Sequence, residues 1–460
     1  MKKLATALLL LAACAWAEPP AVIAIRNARI VTVSGPVIAK GTVVVRNGLI
    51  EAVGENVAVP PEALLVEGEG LTVYPGLIDA LSTVGMPGAA PTATAGRGGR
   101  GATQATPALV QAAPATPAAR SNGPEDRPQT TSWLVAADEL QPTDRRIETV
   151  RSAGVTTAIV FPTRGIFGGQ GSVVDLAAEE KAGPMIVESP IGQYIALGAG
   201  RGFGGGMGGG FPGSLMGIIS YVHQVYLDAG HYKLVKDAYA KNPRGMERPA
   251  YDRALEGVLD SRRILLPANR LVEIDRMIRF AAELKQPTIL YGAREAYRPG
   301  AAELLKKSGL PILVSLRWPT PPTAPDVHLE DESLRQLETY DEAPAGAGAL
   351  QKAGVKFAFY SDGIDTGREL QRAVKKAIDA GLTRDQALRA MTLSPAEIYG
   401  VADRLGSIEQ GKIGNLLVTR GDIFDNNTRI EMIVVDGKKY TPAAENGGRG
   451  MNTDAPGGNQ

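Results

Sequence analysis

The chain has 460 residues, 44% of them hydrophobic, enough to bury one large barrel or two to three ordinary domains. Lys plus Arg (49) balances Asp plus Glu (49), and a net charge of zero argues against nucleic acid as the main partner, because neutralising phosphates takes concentrated positive charge. Three histidines and one cysteine, Cys14, exclude an internal disulfide and any metal site built from cysteines.

Residues 1–17 read as a signal peptide. Lys2 and Lys3 supply the positive start, Leu4 to Ala13 a short apolar run, and Ala15-Trp16-Ala17 a small-residue cleavage site. Leu11-Ala12-Ala13-Cys14 also resembles a lipobox, in which Cys14 becomes a lipidated N-terminus. Either route exports the folded part to the periplasm or beyond, and a membrane enters only through lipid on Cys14.

Residues 21–73 alternate short β-rich runs with turns, as in Ala21 to Ala28, Thr42 to Val45, Leu49 to Val53 and Leu64 to Glu67. Asn47-Gly48 between two such runs predicts a hairpin. Residues 87–130 are Pro-, Ala-, Thr- and Gly-rich and predict a disordered insertion. The glycine-dense stretch 198–214 predicts a flexible loop, because that density costs too much backbone entropy for a regular element. From Val155 to Tyr360 apolar strands follow helices closed by glycine, as at Ala153-Gly154, Ser308-Gly309 and Ala353-Gly354. That rhythm suits parallel crossovers, and roughly eight units between residues 75 and 400 predict a (β/α)8 barrel. Residues 401–440 return to the hairpin texture, so both chain ends (21–73 and 401–440) are expected to form one small composite β-sandwich domain. Residues 442–460 are expected to be a disordered tail.

Val73-Tyr74-Pro75-Gly76-Leu77-Ile78-Asp79-Ala80 resembles the segment that enters the barrel in the amidohydrolase superfamily. Ser394-Pro395-Ala396, Gly406-Ser407-Ile408-Glu409-Gln410-Gly411-Lys412 and Val434-Val435-Asp436-Gly437 resemble its closing helix, its return and its last hairpin. The similarity is strongest to the imidazolonepropionase-like branch and covers about residues 21–440 apart from the low-complexity stretches. It implies the same α/β fold: a (β/α)8 barrel beside a β-sandwich made from both ends. It also implies hydrolysis of carbon–nitrogen bonds by a divalent metal such as zinc, which makes hydroxide available near neutral pH while an aspartate moves protons.

The residues at the corresponding positions depart from that chemistry. The first H-x-H pair reads Leu81 and Thr83, the H-A-H-R pattern reads Pro267-Ala268-Asn269-Arg270, and the next histidine position holds Tyr291. The strand-eight acid is kept as Asp362, and Glu188 stands near the place of the metal-bridging residue. His223, His231 and His328 lie away from predicted strand ends and read as ordinary surface or core histidines. A mouth made by Asp79, Thr83, Glu188, Asn269, Tyr291, Arg294 and Asp362 is expected, with Glu188 and Asp362 as candidate acid–base residues and no metal or other cofactor. Two such carboxylates in contact would repel and raise one pKa. Asp362 could instead cap the following helix. Three functions are open: a degenerate member that binds a small molecule, an active hydrolase of cyclic amide or peptide-like bonds with an atypical site, and a subunit that pairs with itself or with an active amidohydrolase.

Overall fold

A computed structural model describes residues 22–87, 127–197, 212–321, 332–364, 366–425 and 428–442. The expected signal peptide, Cys14, His328, the tail after residue 442, and most of the 87–130 and 198–214 stretches lie outside the described residues.

Strands β1 (Val22–Ile30), β2 (Ile38–Arg46), β3 (Leu49–Gly54), β4 (Leu64–Glu67) and β5 (Thr72–Pro75) precede the strand β6 (Leu77–Ser82). The central strands are β7 (Val155–Val160), β8 (Phe167–Gln170), β9 (Ser172–Asp175), β10 (Ile186–Glu188), β11 (Gln193–Ile195), β12 (Ile264–Ala268), β13 (Thr288–Gly292), β14 (Ile312–Ser315) and β15 (Phe357–Tyr360). The chain ends with β16 (Leu416–Arg420), β17 (Arg429–Val435) and β18 (Lys438–Tyr440).

The outer strands join in one sheet of order β18-β17-β16-β5-β1-β2-β3, with β4 paired to β1. The β2–β3 hairpin turns at Asn47 and Gly48, both at positive φ, the backbone a two-residue hairpin demands. Alternation along the strands splits this sheet's side chains. Val73, Leu416, Val418 and Val434 pack with Ile23, Ile25 and Val43 on one face, while Tyr74, Leu417, Ile433 and Val435 join the core beneath the helices. Among the described residues the two ends make this one mixed sheet, joined where β5 pairs with both β1 and β16.

The middle of the chain is a mixed α/β unit whose ladders differ from a closed, all-parallel barrel. One sheet has the order β10-β9-β7-β6 and the other β15-β14-β13-β12-β11-β8. Strands β11 to β15 are parallel neighbours, but β9 runs antiparallel to β7 and β8 antiparallel to β11. The reason is the connection: only residues 161–166 separate β7 from β8, whereas a parallel return takes a crossover of a dozen residues or more. Gly171 joins β8 to β9 and so links the two sheets, exchanging backbone hydrogen bonds with Ile191 and Gly192.

On the other side, β6 and β15 meet without a ladder. Their seam is held by Asp79, whose carboxylate accepts from the backbone N–H of Ser361 at 2.9 Å and from its hydroxyl at 2.6 Å. Asp79 is buried, and desolvation pushes its carboxyl up from the ordinary range against those hydrogen bonds. Alternate residues of the central strands fill the lumen: Ile159 and Phe161, Leu265, Ile289 and Tyr291, Leu313, Ala358 and Tyr360. Ile398, Tyr399, Val401 and Leu405 pack against the same cluster. Intervening residues such as Leu266, Leu290, Val314 and Phe359 face the helices. Each full burial of this kind stabilises the fold by about 1.5–3 kcal/mol.

The end sheet and the central sheets meet at a buried polar joint. Asp175 on β9 accepts from the Thr157 hydroxyl at 2.7 Å and from the Asn415 amide at 2.9 Å. Asn415 precedes β16, and its own carbonyl oxygen accepts from the N–H of Asp436 at 2.8 Å. The donors around Asp175 are neutral, so desolvation dominates and its carboxyl rises to about 7, helped by nearby Asp436 and opposed by Arg404.

Candidate functional site

The C-terminal ends of the parallel strands define the mouth, where functional groups collect in barrel folds. Asp362 follows β15 and sits at a φ of 51°. Its carboxylate accepts from the Ser315 hydroxyl at 2.7 Å and lies 3.6 Å from the Arg294 guanidinium. Its carbonyl accepts from Arg317 Nε at 2.7 Å. The helix Gly367–Asp379 begins after Thr366, so Asp362 is not its cap residue.

Arg294 is aimed by a kink at the end of β13. Gly292 and Ala293 both have positive φ, and the Ala293 N–H donates to Ala268 on β12. An alanine in this left-handed conformation costs about 1 kcal/mol, the kind of strain that persists where surrounding contacts fix a functional segment. The next residue, Glu295, is buried. Arg335 clasps both its oxygens at 2.8–3.0 Å, and the Leu271 N–H donates to it at 2.9 Å. Burial alone would raise this carboxyl; the Leu271 N–H and Arg335 hold it below the ordinary value.

The mouth has an aromatic floor. Tyr291 stacks on Tyr194 with centroids 5.4 Å apart, and its hydroxyl donates to the Tyr194 hydroxyl at 3.0 Å. Burial holds the phenols of Tyr291 and Tyr360 far above their ordinary range, with the Asp362 charge pushing in the same direction. Both therefore stay protonated near neutral pH. Asn269 lies against Gly292, where a Cβ would come within 2.4 Å of its side-chain oxygen. Thr83 is half-buried just past β6, and its carbonyl accepts from the Met86 N–H at 3.1 Å.

Of the residues expected at the mouth, Asp362, Arg294, Asn269, Tyr291 and Thr83 stand at strand ends on this side. Asp79 lies within β6, committed to the seam. Glu188 is elsewhere. It bonds Arg262 at 2.8 Å and Arg404 at 2.6 Å. Arg262 precedes the first residues of β12, so Glu188 sits at the opposite end of the strands, roughly 15 Å from the mouth at about 3.3 Å per strand residue. β10 runs against β9 and so in the same sense as β7, and Glu188 lies ahead of Gln193, which pairs with Ile264 at the start of β12. The expected repulsion with Asp362 is absent; hydrogen bonds from Arg404 and Arg262 instead lower its carboxyl from the ordinary value. His223 and His231 are exposed on the helix Leu215–Lys241. Tyr194, Ser315, Arg317 and Tyr360 are mouth residues that sequence reasoning missed. Ser315 and Tyr360 end β14 and β15, so the strand-end rule that found Asp362 could have found them.

These donors do not fit the divalent metal that the resemblance implies. Leu81 has no ligating atom, Thr83 and Asn269 offer neutral oxygens, and the Tyr291 phenol keeps its proton. The cation beside Asp362 is Arg294. Among the described residues, no three His, Cys, Asp or Glu gather in one place.

Residues 278–442 match the amidohydrolase family model. The chain is 21% identical over 429 residues to amidohydrolase tasK of Hapsidospora irregularis, an alignment covering 86% of this chain and 39% of that protein. The chain thus spans about two fifths of that relative's length. An amidohydrolase from Thermotoga maritima MSB8 has a similar structure, with a TM-score of 0.71 at 26% identity over 91% of this chain and 99% of that one. A prolidase complexed with N-methylphosphonate-L-proline shares the fold at a TM-score of 0.51 and 16% identity, over 91% of this chain and 99% of that one. Phenylurea hydrolase B shares it at 0.51 and 16%, over 92% and 97%. The chain carries an amidohydrolase-family domain over residues 278–442 and has structural neighbours in that superfamily.

Proposed function

We propose that this chain is a degenerate amidohydrolase that binds a small molecule at its strand-end mouth without metal-dependent hydrolysis. The observation that carries the reading is the pairing of Asp362 with Arg294 and Ser315. In a metal-dependent member an acid at this place serves a cation-bound water; here its immediate partners are a guanidinium and a hydroxyl. Elemental analysis of the purified protein tests it. Near-stoichiometric zinc, lost together with amide-hydrolysing activity in Asp362→Ala, overturns the reading.

The second reading is an active hydrolase of carbon–nitrogen bonds with an atypical site. It is favoured by retention of Asp362, a carboxylate that can still accept a proton at the mouth. A screen of cyclic amides and dipeptides, with Asp362→Asn as the control, separates the two. Export is proposed from residues 1–17; N-terminal sequencing that begins at Glu18, or a lipid on Cys14, supports it. Pairing with a second copy or with an active family member is proposed on the loss of the histidine ligands alone, and sedimentation measures it.

A further inference from the structure

We propose that Arg294 is the fixed cation of a carboxylate-binding site in the mouth, so that the ligand is a small, flat molecule bearing a carboxylate. This rests on the metal-free reading above and adds to it the chemistry of the ligand. The central observation is an orphan donor: Arg294 Nε is buried and has no hydrogen-bond partner. A buried N–H without an acceptor is unfavourable and rare in folded proteins, and it marks a place where an acceptor is missing. The other end of the same guanidinium is only loosely engaged, 3.6 Å from Asp362.

Charge points the same way. Arg317 donates its Nε to the Asp362 backbone carbonyl, so a second guanidinium stands at Asp362, whose carboxylate has Arg294 and Ser315 as partners. A planar guanidinium matches a carboxylate's two oxygens, whereas a neutral amide answers only part of the fork. The kink at Gly292 and Ala293 holds Arg294 in place. The Tyr194–Tyr291 stack and Tyr360 supply a flat apolar floor with hydroxyls at its edge, a surface suited to an aromatic body.

The test is calorimetric titration of the full chain with benzoate, benzamide and benzamidine at low salt. The wild-type chain is expected to bind benzoate more tightly than benzamide, and benzamidine least. Arg294→Met is expected to weaken benzoate by about tenfold or more, the loss of one charged hydrogen bond, while changing benzamide little. Arg294→Lys keeps the charge without the fork and is expected to fall between the two. Circular dichroism and melting confirm that both variants fold. Equal binding of benzoate and benzamide, or benzoate binding indifferent to Arg294→Met, overturns the carboxylate site while leaving a ligand-binding mouth in place. No binding of any probe at about 10 mM also overturns it. Stoichiometric zinc overturns the reading beneath it instead.

Discussion

Asp175→Asn probes the joint between the end sheet and the central strands. The wild-type carboxyl is raised from 3.8 to about 7 because it is buried among neutral donors. The folded state therefore holds this proton more tightly than the unfolded chain does. Between the unfolded value and about 7, folding takes up a proton, so stability falls as pH rises through that window. The contribution is fully present below the window and lost above it. At about 1.4 kcal/mol per pKa unit, the shift corresponds to up to roughly 4 kcal/mol across the window. An asparagine keeps an oxygen for Thr157 and Asn415 but cannot ionise. The variant should match the wild type only below the window, already exceed it by about 1.5 kcal/mol at pH 5, and exceed it by roughly 4 kcal/mol at pH 8, with a flatter profile between. Urea midpoints at pH 5, 6, 7 and 8 measure this, and taking the difference between the two proteins cancels other titrating groups such as Asp79 and Asp436. A variant that keeps the wild-type slope, or that is weakened equally at every pH, refutes the reasoning.

Gly76→Ala should destabilise the fold by about 1–3 kcal/mol, an overpacking cost, because a Cβ there would lie 2.0 Å from Thr156 Oγ1; thermal melting reads it. Tyr291→Phe should cost about 1 kcal/mol for its lost hydrogen bonds while keeping the Tyr194 stack, visible as a small drop in the urea midpoint. Glu295→Gln removes the charge that Arg335 clasps and should weaken benzoate binding several-fold by loosening the Arg294 segment; unchanged affinity would separate that clasp from the mouth.

Much of the architecture was legible because glycine-closed helices and alternating apolar runs mark element ends. The strand β15 and its following Asp362 stood out in this way, as did Tyr291, Asn269 and Arg294 beside β12 and β13. The hairpin at Asn47-Gly48 was equally plain. Strand direction was not legible. β8 and β9 run back against the expected sense, and strand extent was hidden too: Met185 to Glu188 has the apolar pattern of a whole barrel strand, but the chain goes on through β11, so Glu188 marks the start of that run and not its mouth end. The short hairpin-like return after Phe161 was the available signal, since it leaves no room for a crossover helix. Tyr194 lies in a three-residue strand with too little pattern to read. Asp175 ends an apolar run and looks like a turn residue; its burial depends on Asn415, 240 positions away.

The seam between β6 and β15 gives this fold a clasp in place of a weld. A laddered join opens only by breaking a row of backbone hydrogen bonds, whereas among the described residues this one is fastened by the Asp79 carboxylate on Ser361, with the Tyr399 hydroxyl held by the Ala80 carbonyl beside it. Gly171 is the continuous hinge on the far side. The two sheets can therefore part slightly along one line with their own ladders intact, and native-state hydrogen exchange should begin at the amides of Ser361 and its neighbours. The clasp lies one residue from Asp362, so each opening carries the carboxylate of the mouth with it.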